Sequence, residues 1–293
     1  MRNFDLDARS LAPSITLSRR AFAKASLIAG GFTLAAGPIN AKAIETPADG
    51  LEAGTVAIPT RDGEIPGYAA RPAKSGTVPV VLVVQEIFGV HRYIQDVCRR
   101  FARQGYAAIA PEMFYRQGDV SGMGMGDLGQ LIKIAQQVPD KQAMSDLDAA
   151  AAFLKAEFDG DTDSMGITGF CWGGRIVWLY AAHNPALRAG VAWYGRLTGN
   201  SDAKQPKHPI DIVDRLKAPI LGLYGAQDQG IPVSDVEKMR EALAKAGKDQ
   251  SEIVVYQDAG HAFHADYRPS YNESAAEDGW RRALDWFAMN GVT

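Results

Sequence analysis

The chain has 293 residues, 46% of them hydrophobic, with 31 Lys/Arg against 34 Asp/Glu and a net charge of −3 at pH 7. Residues 1–43 hold six Lys/Arg and two Asp/Glu, so the remainder stands at −7 against −3 for the whole. That remainder, about 250 residues, is within the range of one α/β domain with a sizeable core. It has no basic run, which argues against a nucleic-acid partner, and no segment long and apolar enough for a transmembrane helix.

At the N-terminus, Ser18-Arg19-Arg20-Ala21-Phe22-Ala23-Lys24 precedes an apolar, small-residue run from Ala25 to Ala36. Ala41-Lys42-Ala43 then fits an A-x-A cleavage site. The paired arginines, the phenylalanine two places on and the lysine resemble a twin-arginine export signal, with Ala23 where leucine is commoner. The apolar run is too short to span a bilayer comfortably. The expectation is a signal peptide over 1–43 and a single domain over 44–293, located in the periplasm or secreted. The twin-arginine machinery would be its partner during translocation, with no membrane association after cleavage.

From there the apolar runs predict strands at Thr55–Ile58, Ile65–Arg71, Val78–Val84, Tyr106–Ala110, Met165–Gly169, Ala189–Tyr194, Pro219–Tyr224 and Ile253–Tyr256. Helical patterns fall at His91–Gln104, Lys141–Phe158, Arg175–His183, Val233–Ala246 and Glu273–Met289. The first two strands leave no room for a helix and pair as a hairpin. Thereafter strand and helix alternate, the signature of a mostly parallel sheet with helices on both faces. Gly118–Gly126, rich in Gly and Met, reads as a mobile loop or a simple surface connection.

Gly169-Phe170-Cys171-Trp172-Gly173-Gly174 lies between a strand and a helix, a nucleophile elbow of the G-x-S-x-G kind with cysteine in place of serine. The sulfur then sits at a helix N-terminus, where N–H groups and the helix dipole favour a thiolate. A packing cysteine between glycines is the plainer alternative. Asp228 follows the Pro219–Tyr224 strand and His261 follows the last strand, in the nucleophile–acid–histidine order of α/β-hydrolases. In that reading His261 pairs with Cys171 and Asp228 orients the imidazole. The oxyanion donors would be the backbone N–H groups of Ile87, in the loop after Val78–Val84, and of Trp172. Glu86, in the same loop, opposes a developing negative charge unless it is neutral or moves away.

Gln85-Glu86-Ile87-Phe88-Gly89, the cysteine elbow, Gly225-Ala226-Gln227-Asp228 and Gly260-His261-Ala262-Phe263 together resemble the dienelactone hydrolases (carboxymethylenebutenolidases), from about Gly54 to the C-terminus. The resemblance implies an α/β-hydrolase fold and a Cys171–His261–Asp228 triad. It further implies that Glu86 keeps the resting thiol protonated until substrate displaces it, then accepts the thiol proton. The family's substrate-binding arginine four residues after the histidine corresponds to Ala265, and its other arginine to about Leu128. Lys133 is the only basic residue from Gly118 to Gln137. His264, Arg268 and Arg116 are the alternative cations, or else surface and structural residues. No apolar side chain substitutes for arginine's planar fork.

The expected reaction is hydrolysis of a small ester, lactone or enol lactone through a thioester on Cys171, with water attacking as His261 acts as base. Phe88, Trp193, Tyr194 and Phe263 would wall the substrate pocket beside Trp172, or else belong to the core. Cys98 and Cys171 supply no disulfide framework, and Cys98 reads as an unreactive packing residue. No CxxC pair or Cys/His ligand spacing occurs, so neither a metal nor another cofactor is expected. Two other classes stay open: a non-catalytic binding protein on this scaffold, and a thiol-redox protein using Cys171.

Overall fold

The computed structural model describes residues 43–74 and 76–293. The expected signal peptide lies outside these residues, apart from Ala43. Among the described residues the strands are β1 (Leu51–Thr60), β2 (Gly63–Pro72), β3 (Val78–Val84), β4 (Ala107–Pro111), β5 (Gly160–Phe170), β6 (Leu187–Trp193), β7 (Ile220–Gly225) and β8 (Glu252–Tyr256). The helices are α1 (Arg92–Arg103), α2 (Leu128–Gln137), α3 (Asp140–Glu157), α4 (Trp172–His183), α5 (Val233–Lys245) and α6 (Glu273–Met289). Short 3₁₀ turns occur at Met125–Asp127 and Pro209–Arg215.

All eight strands form one sheet in the order β1-β2-β4-β3-β5-β6-β7-β8. The β1–β2 pair is the expected hairpin, with Thr60 opposite Gly63, and β2 pairs antiparallel with β4. From β4 to β8 every pairing is parallel. β3 reads Val-Pro-Val-Val-Leu-Val-Val and is almost wholly buried, as a central strand covered on both faces requires. Gly166 and Ile167 show the two coverings, since successive strand residues face opposite sides. A Cβ on Gly166 would meet Phe287 of α6, whereas a Cβ on Gly190, opposite Ile167, would meet Val177 of α4. α1 shares the α6 face, with the Phe101 ring 4.6 Å from Trp280.

α2 was not among the predicted helices. Only its Leu131 and Ala135 are buried, too few to impose a clear 3.6-residue apolar period. The sheet topology also fixes where ligands can enter. The chain leaves β3 for β4 on one side and returns to β5 on the other, and in open parallel sheets such a reversal opens a crevice at the strands' C-terminal ends.

Candidate active site

Glu86, Glu112, Cys171, Tyr194, Asp228 and His261 all lie just beyond C-terminal strand ends. At the end of β5 the chain reverses into α4 through Cys171, whose φ of 55° and ψ of −111° are unfavourable for any residue with a Cβ. The turn holds because its neighbours have no side chains. A Cβ on Gly173 would stand 2.4 Å from the Val84 carbonyl oxygen, and one on Gly169 2.4 Å from that of Gly173. The Cys171 amide donates to the Trp193 carbonyl at 3.0 Å, tying the turn to β6. Cys171 keeps intermediate exposure, whereas Cys98 on α1 is fully buried and burial pushes its thiol well up. Both cysteines are free.

Asp228 is 4% exposed and accepts at both oxygens: Oδ2 from His261 Nδ1 at 2.7 Å, Oδ1 from the amides of Gly230 (2.8 Å) and Ile231 (3.2 Å). A carboxylate bonded in this way holds the imidazole in one orientation and fixes its proton on Nδ1. The Cys171 thiol also acts on His261 and favours its charged form. Burial works against the charged imidazole. The bond to Asp228, the Cys171 thiol and the charges of both outweigh it and raise its pKa to about 10. Tyr194 underlies the imidazole edge-on at 5.2 Å and itself has a positive φ of 38°.

The loop after β3 is held by a residue that the motifs did not single out. Glu112, after β4, accepts from the amides of Val90 (2.7 Å) and Phe114 (3.3 Å), and Gly89 packs so closely that a Cβ there would lie 2.8 Å from Oε2. Burial raises the Glu112 carboxyl despite these bonds. Gln85 Oε1 accepts from the Met113 amide at 3.1 Å. The Ile87 segment is therefore clamped from both sides. The sequence signal was slight: an acid following a buried strand.

Glu86 is fully buried, and its Oε2 accepts from Tyr267 Oη at 2.7 Å. His91 Nε2 stands 3.6 Å from Oε2 and Arg268 Nη1 3.9 Å from Oε1, while Oε1 has no hydrogen-bond partner. Burial opposes the charged form, but His91, Arg268 and the Tyr267 hydroxyl outweigh it and hold the carboxyl below its usual range. The resemblance implied a glutamate resting against the thiol; here its hydrogen bond goes to Tyr267, with His91 and Arg268 beside it.

Of the expected wall residues, Phe88 carries the Arg268 guanidinium 5.5 Å over its ring. Trp193 and Phe263 lie in the core instead, 1% and 0% exposed. Trp193 stacks on Phe170 and donates from Nε1 to Thr168 Oγ1 at 3.0 Å. His264 is no cation: burial and the nearby Arg100 charge hold its pKa well below the ordinary value, and its Nδ1 lies 2.5 Å from Tyr93 Oη. Arg116 is taken up by Asp146 and Thr60, each at 2.7 Å. Ala265 is buried, and Leu128, at the start of α2, is 37% exposed. Arg268 alone of the three alternatives reaches the site. Burial works against its charge, whereas Glu86, Tyr267 and Cys171 favour it, and Nη2 lies 3.3 Å from Met125 Sδ. Among the described residues no group of three or more His, Cys, Asp or Glu is placed to hold a metal ion.

The eight-stranded sheet, its sharp strand–helix elbow and the acid and histidine beyond later strands define an α/β-hydrolase. The model of the "Dienelactone hydrolase family" matches residues 65–290, and the chain belongs to that family. A Methylorubrum extorquens protein named "Putative carboxymethylenebutenolidase" is 58% identical over 294 residues, covering all of both chains. One of the same name from Salmonella typhimurium is 53% identical over 263 residues, 89% of this chain and 96% of its own. Among solved structures, a "Putative Dienelactone Hydrolase" from Klebsiella pneumoniae superposes with a TM-score of 0.78 at 54% identity, covering 81% of this chain and 98% of that one. The protein is thus a hydrolase of dienelactone-hydrolase type.

Proposed function

We propose that this hydrolase cleaves small esters, lactones or enol lactones with Cys171 as nucleophile, His261 as its acid–base partner and Asp228 as the group that orients His261. The observation that carries this reading is the Asp228–His261 hydrogen bond beside Cys171 on a strained, partly exposed elbow, with the thiol acting on the imidazole. Attack of the thiolate on the substrate carbonyl forms a tetrahedral oxyanion, which the Ile87 and Trp172 amides stabilise. Collapse expels an alkoxide or enolate, protonated by His261, and leaves a thioester. Water then attacks, with neutral His261 as base, and the thiol side of the acyl bond departs.

Glu86 is paired with Tyr267 before substrate arrives. To take a proton from Cys171, as the family resemblance implies, it would have to leave Tyr267. Arg268 is the side chain suited to drive such a move, because a substrate carboxylate pairing with it would compete with Glu86. Arg268 thus substitutes for the arginines whose places Ala265 and Leu128 occupy.

The sequence of residues 1–43 supports export of the folded protein by the twin-arginine machinery and a mature chain beginning near Ile44, in the periplasm or outside the cell. No helix among the described residues is long and apolar enough to cross a membrane.

The test is turnover of a dienelactone, simple aryl esters, an enol ester and a thioester by Ile44–Thr293, each beside Cys171→Ala. Cys171-dependent turnover of the dienelactone and enol ester is expected. Full activity in Cys171→Ala would sink the mechanism, and activity confined to uncharged esters would remove the role given to Arg268.

A further inference from the structure

The segment that leads into β1 is fastened to α1 by the buried Asp96 and the arginines beside it. The Thr46 amide donates to Asp96 Oδ1 at 2.6 Å and its hydroxyl to Oδ2 at 3.2 Å. Arg99 Nε donates to the Thr46 carbonyl at 2.8 Å, and Arg103 Nη2 to the Pro47 carbonyl at 3.0 Å. Asp96 also holds Arg99 (2.9 Å) and Arg100 (2.6 Å), and Arg100 continues to Asp266 through a close ion pair. The backbone N–H of Ile44, two residues before Thr46, faces the same Asp266 carboxylate and favours its charged form. Asp266 sits in the loop that bears His261, His264 and Arg268, so residues 44–47 strap that loop to α1.

Asp266 is short of positive charge. It is 2% exposed. Burial raises its carboxyl above the ordinary value, and Arg100, which it shares with Asp96, does not fully offset this. Tyr93 of α1 and Tyr271 also face this charge pair, with Glu273 and Glu277 of α6 beyond Tyr271. None of these four adds a cation. The Ala41-Lys42-Ala43 cleavage signal ends one bond before the Ile44 nitrogen that faces Asp266. Ile44 is 49% exposed and Ala43 half-buried, so the junction lies at the surface.

We propose that hydrolysis of the Ala43–Ile44 bond by a leader peptidase turns the Ile44 amide into an α-ammonium that pairs with Asp266 and fastens the loop carrying His261 and Arg268. Water adds across the bond: Ala43 leaves as a carboxylate, and the Ile44 nitrogen takes up protons to become the ammonium. One neutral donor becomes a charged group with three, and charge-assisted bonds are roughly twice as strong as neutral ones. The inference rests on the export reading above.

The experiment compares a chain beginning at Ile44 with one that retains Ala43, each alone and with Asp266→Asn, and determines the N-terminal residue of the exported protein by mass spectrometry. The exported form is expected to begin at Ile44. Its α-amine should be acylated at pH 7 at least about tenfold more slowly than that of the Ala43 chain, the effect of raising the amine's pKa by about one from its ordinary 7.7–8.0. A raised amine stabilises below its ordinary value and loses the effect as pH rises through the folded value. The Ile44 chain should therefore melt higher at pH 7, and the gap should close in alkali and vanish with Asp266→Asn. Equal acylation rates, or a melting gap that survives Asp266→Asn, would overturn the proposal. If Asp266→Asn does not fold, the acylation comparison decides without it. An exported form starting elsewhere overturns this inference alone, whereas absence of any processed, exported form overturns the export reading with it.

Discussion

The acid–histidine side of the site and its Arg268 side are built to different tolerances. Asp228 uses both oxygens, bonding His261 at 2.7 Å and two backbone amides at its own strand end. Arg268 meets Glu86 only at 3.9 Å and otherwise lies over Phe88 and beside Met125, which is 58% exposed. In the proposed mechanism the reacting groups are set by the sheet edge, where backbone geometry leaves little freedom, and substrate choice is left to loops and to a lightly packed α2, where one side chain can be exchanged without disturbing the sheet.

The comparison breaks most severely at Asp228. Asp228→Asn keeps the shape but favours the wrong imidazole tautomer, so kcat should fall by about 10³–10⁴-fold with the fold intact. A loss below tenfold, measured under saturating substrate, would mean that Asp228 is only a turn residue. Arg268→Gln tests the looser side. It should weaken kcat/KM for carboxylate-bearing substrates by about 10–100-fold, the worth of one charged hydrogen bond, and leave uncharged aryl esters nearly unchanged. An equal loss for both substrate types would make Arg268 structural.

The smallest effect concerns protonation. The His261 pKa is raised to about 10 because Asp228 and the Cys171 thiol outweigh its burial. The charged imidazole therefore stabilises the fold most below its unfolded value of about 6.5, and that contribution is lost as pH rises through about 10. kcat/KM should fall on the same alkaline limb, as the acid that protonates the leaving group is lost. In Cys171→Ala the contribution of the thiol disappears, so the His261 midpoint, followed by proton NMR of the imidazole, should move down. An unchanged midpoint would show that Asp228 alone sets it.

The strands were legible because apolar runs such as Val78–Val84 are covered on both faces, and so were the acid, histidine and elbow that follow such runs. What was not legible depends on side-chain direction and on contacts distant in sequence. Trp193 and Phe263 are aromatic and next to strand ends, yet nothing local says that they point into the core. β1 begins at Leu51, four residues before its apolar pattern, because β2 supplies partners for Leu51–Gly54. Arg268 was one of three candidate cations. It was singled out only by the turns that fold its loop back, with the Ala265 amide bonding to Ala262 and the Arg268 amide to Ala265.

The φ of 55° at Cys171 has a consequence for any effort to harden this protein. Holding a side chain in so sparse a region costs about 1–3 kcal/mol, and glycine alone escapes most of it. With Cys171 as the proposed nucleophile, the chain therefore lies one substitution, Cys171→Gly, from a relative expected to be sturdier and inert. Directed evolution that screens for heat resistance alone will be drawn toward that dead end, so every round must also demand turnover.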